Sequence, residues 1–65
     1  MKEELTNLVK EVHSNDGKIP EHLVDNMFRM HNELFPKNLE FNKGCGNCRK
    51  RTFSKLQTYY NDNYT

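Results

Sequence analysis

Two apolar stripes at helical spacing, separated by one strong break, constrain this chain more than any other feature. Leu5, Leu8, Val9 and Val12 recur at i, i+3, i+4 and i+7, the signature of one helical face. Leu23, Val24, Met27, Phe28, His31 and Leu34 trace a second stripe, with Met30 near its edge. Between them lies Ser14-Asn15-Asp16-Gly17, four residues that favour turns through side-chain hydrogen bonding or a positive φ. Glu3 and Glu4 suit a first turn, where the helix dipole favours negative charge, and His13 suits a last one. The pattern predicts a first helix over about residues 2–13.

Pro20 fits a first helical position, where its missing N–H is not needed, and Pro36 disfavours helix at Phe35. A second helix is therefore expected over about residues 20–34. From Pro36 to Gly44 the pattern weakens, and Leu39 and Phe41 alternate with polar neighbours, as in a short extended segment. A third helix over about residues 45–61 would carry Cys45, Cys48, Thr52, Leu56 and Tyr59 on one face, flanked by Phe53 and Tyr60. The tail Asn61-Asp62-Asn63-Tyr64-Thr65 reads as frayed. The expected fold is all-α: one compact domain, residues 1–65, of three helices with an irregular segment before the third. Its expected core is Leu5, Leu8, Val12, Leu23, Met27, Phe28, Leu34, Cys48, Phe53 and Leu56.

Such a core is small. With 65 residues, of which 34% are hydrophobic, and a mean hydropathy of −1.04, the chain invites a staple, a partner or a second copy. A homodimer is one expectation. A net charge of +1 and seven aromatic residues argue against a disordered chain. No apolar run approaches the length of a membrane span, and Met1-Lys2-Glu3-Glu4 lacks the apolar stretch of a secretory signal. The expectation is no membrane association, no secretion, and residence in the cytoplasm of a host cell or within a virion.

Charge is unevenly divided. Residues 1–42 hold five Lys or Arg against eight Asp or Glu, a balance of −3, whereas residues 43–65 hold five against one, a balance of +4. The division serves either complementarity within the molecule or an anionic partner. Lys43, Arg49, Lys50, Arg51 and Lys55 are the candidates for nucleic-acid or anion binding, because clustered cations release counterions from a polyanion. Phe53, Tyr59 and Tyr60 would supply stacking surfaces for bases, or else belong to the core. The pI of 7.8 lies below the value of about 9 typical of dedicated nucleic-acid-binding domains.

The two cysteines, Cys45 and Cys48, have the spacing with which two thiolates at a turn reach one metal ion. A structural zinc would take His31 as third ligand, since it lies on the inward stripe, with His22 or His13 as fourth. Two other readings compete: small buried core residues, and a redox or disulfide pair at a helix start, where the thiol pKa falls. For His31 the competing reading is a satisfied core residue. Catalysis finds no paired carboxylates, no Ser-His-Asp set at assembling spacing and no phosphate-cradling Gly-rich loop, so a non-enzymatic protein is expected.

The segment Phe41-Asn-Lys-Gly-Cys45-Gly-Asn-Cys48-Arg49-Lys50-Arg51-Thr-Phe53-Ser-Lys-Leu56, preceded by Met30-His31-Asn-Glu-Leu34-Phe35-Pro36, resembles that of small proteins encoded by tailed bacteriophages. In those a helix and a Phe-Pro break precede a Cys-x-x-Cys-Arg-Arg helix. The resemblance covers residues 30–56 and implies a phage origin. Taken together, the expected function is that of a phage-type accessory protein binding a larger protein assembly, a virion component or a host protein. Phe35, Leu39, Tyr59 and Tyr60 are the expected contact residues, aromatic side chains being common anchors of interfaces. The alternatives are a nucleic-acid-binding regulator using Arg49, Lys50 and Arg51, and a small zinc-stapled interaction module.

Overall fold

The computed structural model describes residues 1–64. In chain order it contains helix α1 (Lys2–Ser14), a tight 3-10 turn (Glu21–Leu23), helix α2 (Val24–Leu34) and helix α3 (Gly46–Tyr64). No strand occurs among the described residues, and the fold is all-α, as the periodicity predicts. The Cα trace spans 27 × 25 × 16 Å, with α3 packed against both α1 and α2. No helix among the described residues is long and apolar enough to cross a membrane.

Helix α1 buries Leu5, Leu8, Val9 and Val12 and carries Glu3 and Glu4 in its first turn. Its end is built by the turn residues. The Gly17 N–H donates to the Val12 carbonyl at 2.9 Å, which also accepts the Asn15 N–H at 3.1 Å, while Asp16 sits at φ 56° and Gly17 at φ 79°, so the turn closes on the last carbonyls of the helix. Asn15 Nδ2 donates to the Lys18 carbonyl at 3.1 Å and tightens the same turn.

The second helix starts later than its sequence pattern predicts. Pro20 is extended, with φ −61° and ψ 139°, and the Leu23 N–H donates to its carbonyl at 3.0 Å, which makes the first turn 3-10. Regular α-helix begins at Val24. The tight turn meets its neighbours through polar side chains, with His22 Nε2 3.2 Å from a Glu11 carboxylate oxygen on α1 and Glu21 in an ion pair with Arg49 on α3. At its other end α2 stops at Leu34, and the Phe35 N–H makes a last bond of 2.8 Å to the His31 carbonyl before Pro36.

Helix α3 runs past the tail expected to fray and reaches Tyr64; Thr65 lies outside the described residues. Rings hold it there. Tyr64 packs edge-on against Tyr59 at 5.9 Å and against Tyr60 at 6.1 Å, and Lys2 Nζ of α1 lies 5.7 Å from its ring centre. Asn63 Nδ2 adds a bond of 2.9 Å to the Tyr59 carbonyl.

The core comprises Leu5, Leu8, Val9 and Val12 of α1, Val24, Met27, Phe28 and Met30 of α2, and Leu56 of α3. Cys48, Thr52 and His31 are buried with them. Leu23, Leu34 and Phe53, expected in the core, are half-buried and pack against its rim. Val9, Val24 and Met30 take those places. Met30 is covered because it lies opposite α1, where it lines a hollow with Glu4, Asn7 and Leu8.

Candidate functional site

The segment between α2 and α3 has no regular structure, yet side chains hold it at several points. Asn32, in the last turn of α2, donates from Nδ2 to the Glu40 carbonyl at 3.0 Å and accepts from the Glu40 N–H on Oδ1 at 2.9 Å. The Glu40 carboxylate in turn accepts from Arg51 Nη2 of α3 at 3.2 Å. Lys43 Nζ pairs with Asp25 of α2 at 3.1 Å, and the Lys43 carbonyl accepts from Arg49 Nε. Every one of these anchors reaches across from a helix. The Arg51 guanidinium, with a smaller share from the Asn42 N–H, holds the Glu40 carboxyl below its ordinary range.

On either side of the pinned Glu40 stand Leu39, 53% exposed, and Phe41, 69% exposed. They are the most exposed large apolar side chains among the described residues. Leu39 was an expected contact residue; Phe41 was not, although its alternation with Leu39 about Glu40 is the signal that marks it. Phe41 borders an open hollow of about 380 Å3 together with Asp25, Phe28, Arg29, Asn32, Glu33 and Lys43.

The remaining expected contact residues, Phe35, Tyr59 and Tyr60, are half-buried around the core. Rings run in series from His31 to Phe35 at 5.2 Å, from Phe35 edge-on to Tyr59 at 6.2 Å, and on through Tyr64 to Tyr60. Tyr64 beside it, together with burial, pushes the Tyr59 phenol above its ordinary range. Phe35 and Tyr59 line an open cleft of about 380 Å3 whose polar rim includes Asn38, Lys55, Asp62 and Asn63.

Of the five cations expected to meet an anionic partner, three are tied to acids of the 3-10 turn, α2 and the loop. Lys43 meets Asp25, Arg49 meets both carboxylate oxygens of Glu21 at 2.9 and 3.2 Å, and Arg51 meets Glu40. Lys50 and Lys55 make no ion pair among the described residues. The opposed charges of the two parts of the chain thus meet largely inside one molecule. Outside this set, Arg29 joins α2 to α1 by pairing with Glu4, and also meets Glu33 at 3.2 Å.

Cys45 and Cys48 lie where α3 begins. Cys45 precedes the first helical residue; its carbonyl accepts the Arg49 N–H at 3.0 Å, and its Sγ accepts the Cys48 N–H at 3.2 Å, the position a serine or aspartate side chain occupies in an ordinary helix cap. Cys45 is half-buried, Cys48 is 9% exposed, and both are free thiols. Arg51 Nη2 lies 3.6 Å from Cys48 Sγ. A hydrogen bond from the Cys48 thiol, followed by the Cys48 N–H, draws the Cys45 pKa below the ordinary thiol value, while the same thiol bond and burial push Cys48 above it.

His31, expected as a third metal ligand, is not brought to this pair. It is 2% exposed, its Nδ1 lies 2.9 Å from Asn32 Oδ1, and its ring packs on Phe35. His13 contacts Gln57 at 3.1 Å and His22 lies 3.2 Å from Glu11. Among the described residues, no three His, Cys, Asp or Glu side chains are gathered as a metal would require.

Comparison with protein-family models, with curated proteins and with solved structures finds no match to this chain.

Proposed function

We propose that this chain is a non-catalytic module that binds a larger protein assembly through the segment between α2 and α3, with Leu39 and Phe41 as its principal contacts. The observation that carries the reading is the pairing of exposure with restraint: two exposed apolar side chains flank a residue, Glu40, that is anchored to both α2 and α3. Apolar side chains on an unrestrained loop pay an ordering entropy on binding; those on a pinned segment pay less of it and bind more tightly for the same area. The nearby cleft at Phe35 and Tyr59 offers a second apolar contact, with Lys55 and Asp62 at its rim. Internal pairing of Lys43, Arg49 and Arg51 favours a protein partner over a nucleic acid, because cations already matched by carboxylates gain little from phosphates. The resemblance of residues 30–56 to small phage proteins supports a virion component or a host protein as the assembly.

The test compares the native chain with Leu39→Ser/Phe41→Ser as baits for phage particles and host extract. The expected result is a stoichiometric protein partner retained by the native chain and lost by the double variant, at equal melting temperature. A partner captured equally by both, or none captured by the native chain, overturns the reading.

A further inference from the structure

We propose that Cys45 and Cys48 form a thiol–disulfide exchange site, which reacts with an anionic low-molecular-weight disulfide and closes into an intramolecular disulfide. Three observations converge on this pair. The first is proximity: Cys45 Sγ accepts the Cys48 N–H at 3.2 Å, which places the first sulfur against the residue that carries the second. With Cys45 at the cap position and Cys48 three residues on, closing the pair requires the two Cβ atoms to come to about 3.5–4.5 Å. The second is asymmetry of access, since Cys45 is half-buried at the helix start and Cys48 is buried behind it. An accessible attacking thiol and a covered resolving thiol are the order that exchange needs.

The third observation concerns the reagent. At Gly46, the residue that follows Cys45 in the chain, a hollow of about 230 Å3 is lined also by Gly17, Lys18, Ile19, Arg49 and Lys50. Arg49 is matched by Glu21, whereas Lys18 and Lys50 make no ion pair among the described residues. Apart from its chain neighbours and the backbone of its own helix, nothing lies within 4 Å of where a side chain at Gly46 would begin, so the space over Gly46 is open. Two free ammonium groups at that opening favour a disulfide carrying carboxylates.

The chemistry closes without any further reactant. The Cys45 thiolate attacks one sulfur of the small disulfide; that S–S bond breaks, and the first thiolate leaves with the bonding pair. Cys45 has then lost the negative charge and the hydrogen bond that hold Cys48 protonated, and Cys48 ionises beside Arg51. The Cys48 thiolate attacks Cys45 Sγ, the mixed disulfide breaks, and the second small thiolate leaves. The two cysteines are oxidised by two electrons, the reagent is reduced to two thiols, and those take up the two protons that the cysteines release.

The test uses reduced full-length chain with excess oxidised glutathione at neutral pH, quenched with acid and read by intact mass. The native chain should lose two hydrogens and retain no glutathione, and dithiothreitol should reverse the change. Cys48→Ala should stop with one glutathione on Cys45, and Cys45→Ser, which keeps a capping oxygen, should stay unmodified. Should Cys48→Ala fail to fold, Cys48→Ser gives the same readout. Cystamine, a cationic disulfide, should react several-fold more slowly than glutathione disulfide at low ionic strength, and Lys18→Glu/Lys50→Glu should reverse that order. Failure to form the intramolecular disulfide, or modification of Cys48 in Cys45→Ser as fast as of Cys45 in Cys48→Ala, overturns the exchange site. Equal rates for the two reagents overturn its preference for anions.

Discussion

Asn32 grips the backbone of Glu40 with both ends of its amide, donating at 3.0 Å and accepting at 2.9 Å, as one strand residue pairs with another in an antiparallel ladder. The contact spans eight residues and replaces a strand partner that this segment lacks. A net contribution of about 0.5–1.5 kcal/mol per hydrogen bond makes the pair worth about 1–3 kcal/mol. Asn32→Ala should lose that amount in urea denaturation and sharply speed exchange of the Glu40 amide proton, while amides in the middle of α3 keep their order of protection. Unchanged exchange at Glu40 would mean that the clamp does not hold the segment in solution.

The second anchor of Glu40 depends on pH. Arg51 holds the Glu40 carboxyl below its ordinary value, so the folded state binds that proton less readily than the unfolded chain. The stabilisation is therefore complete above the unfolded carboxyl value of about 4.3 and is lost as pH falls through the lower folded value. A carbon-detected NMR titration should place the Glu40 midpoint below the free glutamate value of about 4.3. Glu40→Gln should remove its share of the acid sensitivity, and a Glu40 midpoint at or above the free value would show that Arg51 leaves it.

How far these contacts can be read from the sequence depends on their range. The helices themselves are written in local spacing, because Leu5 to Val12 and Leu23 to Leu34 repeat at the period of the helix. Pro36 likewise marks the end of α2 by a local steric rule. The start of α2 is not local: its tight first turn is joined to Glu11 and Arg49, and the second of these lies 28 residues from Glu21. The end of α3 is local only in part: Tyr64 meets Tyr59 and Tyr60 of its own helix, while Lys2 reaches its ring from α1. The clamp on Glu40 looks like any polar pair in sequence, since Asn32 carries no mark of the backbone it binds. The thiol pair is half legible: the spacing of Cys45 and Cys48 is visible, but whether His31 joins them depends on packing, which turns that ring to Asn32 and Phe35.

The turn after α1 contains a correctable fault. Asp16 occupies the left-handed region at φ 56°, where a side chain costs about 1–2 kcal/mol and glycine nothing, and its negative charge lies at the unfavourable end of the helix dipole. Asp16→Gly should raise the melting temperature by an amount matching about 0.5–1 kcal/mol. Gly17, at φ 79°, has nothing within 4 Å of a new Cβ, so Gly17→Ala should cost about 1 kcal/mol from backbone strain alone, without a clash. Opposite signs for these neighbouring substitutions, measured by thermal melting, are the expected outcome, and a destabilised Asp16→Gly would mean that the aspartate side chain has a role of its own.

Leu56 and Phe41 separate folding from binding. Leu56 is 0% exposed on the one stripe by which α3, through Cys48, Thr52 and Leu56, enters the core, so Leu56→Ala should cost about 2–5 kcal/mol. Stability scales as about 0.05–0.15 kcal/mol per residue, or about 3–10 kcal/mol for 65 residues, so that loss removes about half of the margin or more. Circular dichroism should find Leu56→Ala largely unfolded at temperatures where the native chain is helical. Phe41, equally apolar but 69% exposed, should behave in the opposite way: Phe41→Ser should melt within about 0.5 kcal/mol of the native chain and lose the partner. If Phe41→Ser instead melts as early as Leu56→Ala, Phe41 belongs to the packing of the monomer, and the contact surface must be sought at the cleft lined by Phe35 and Tyr59.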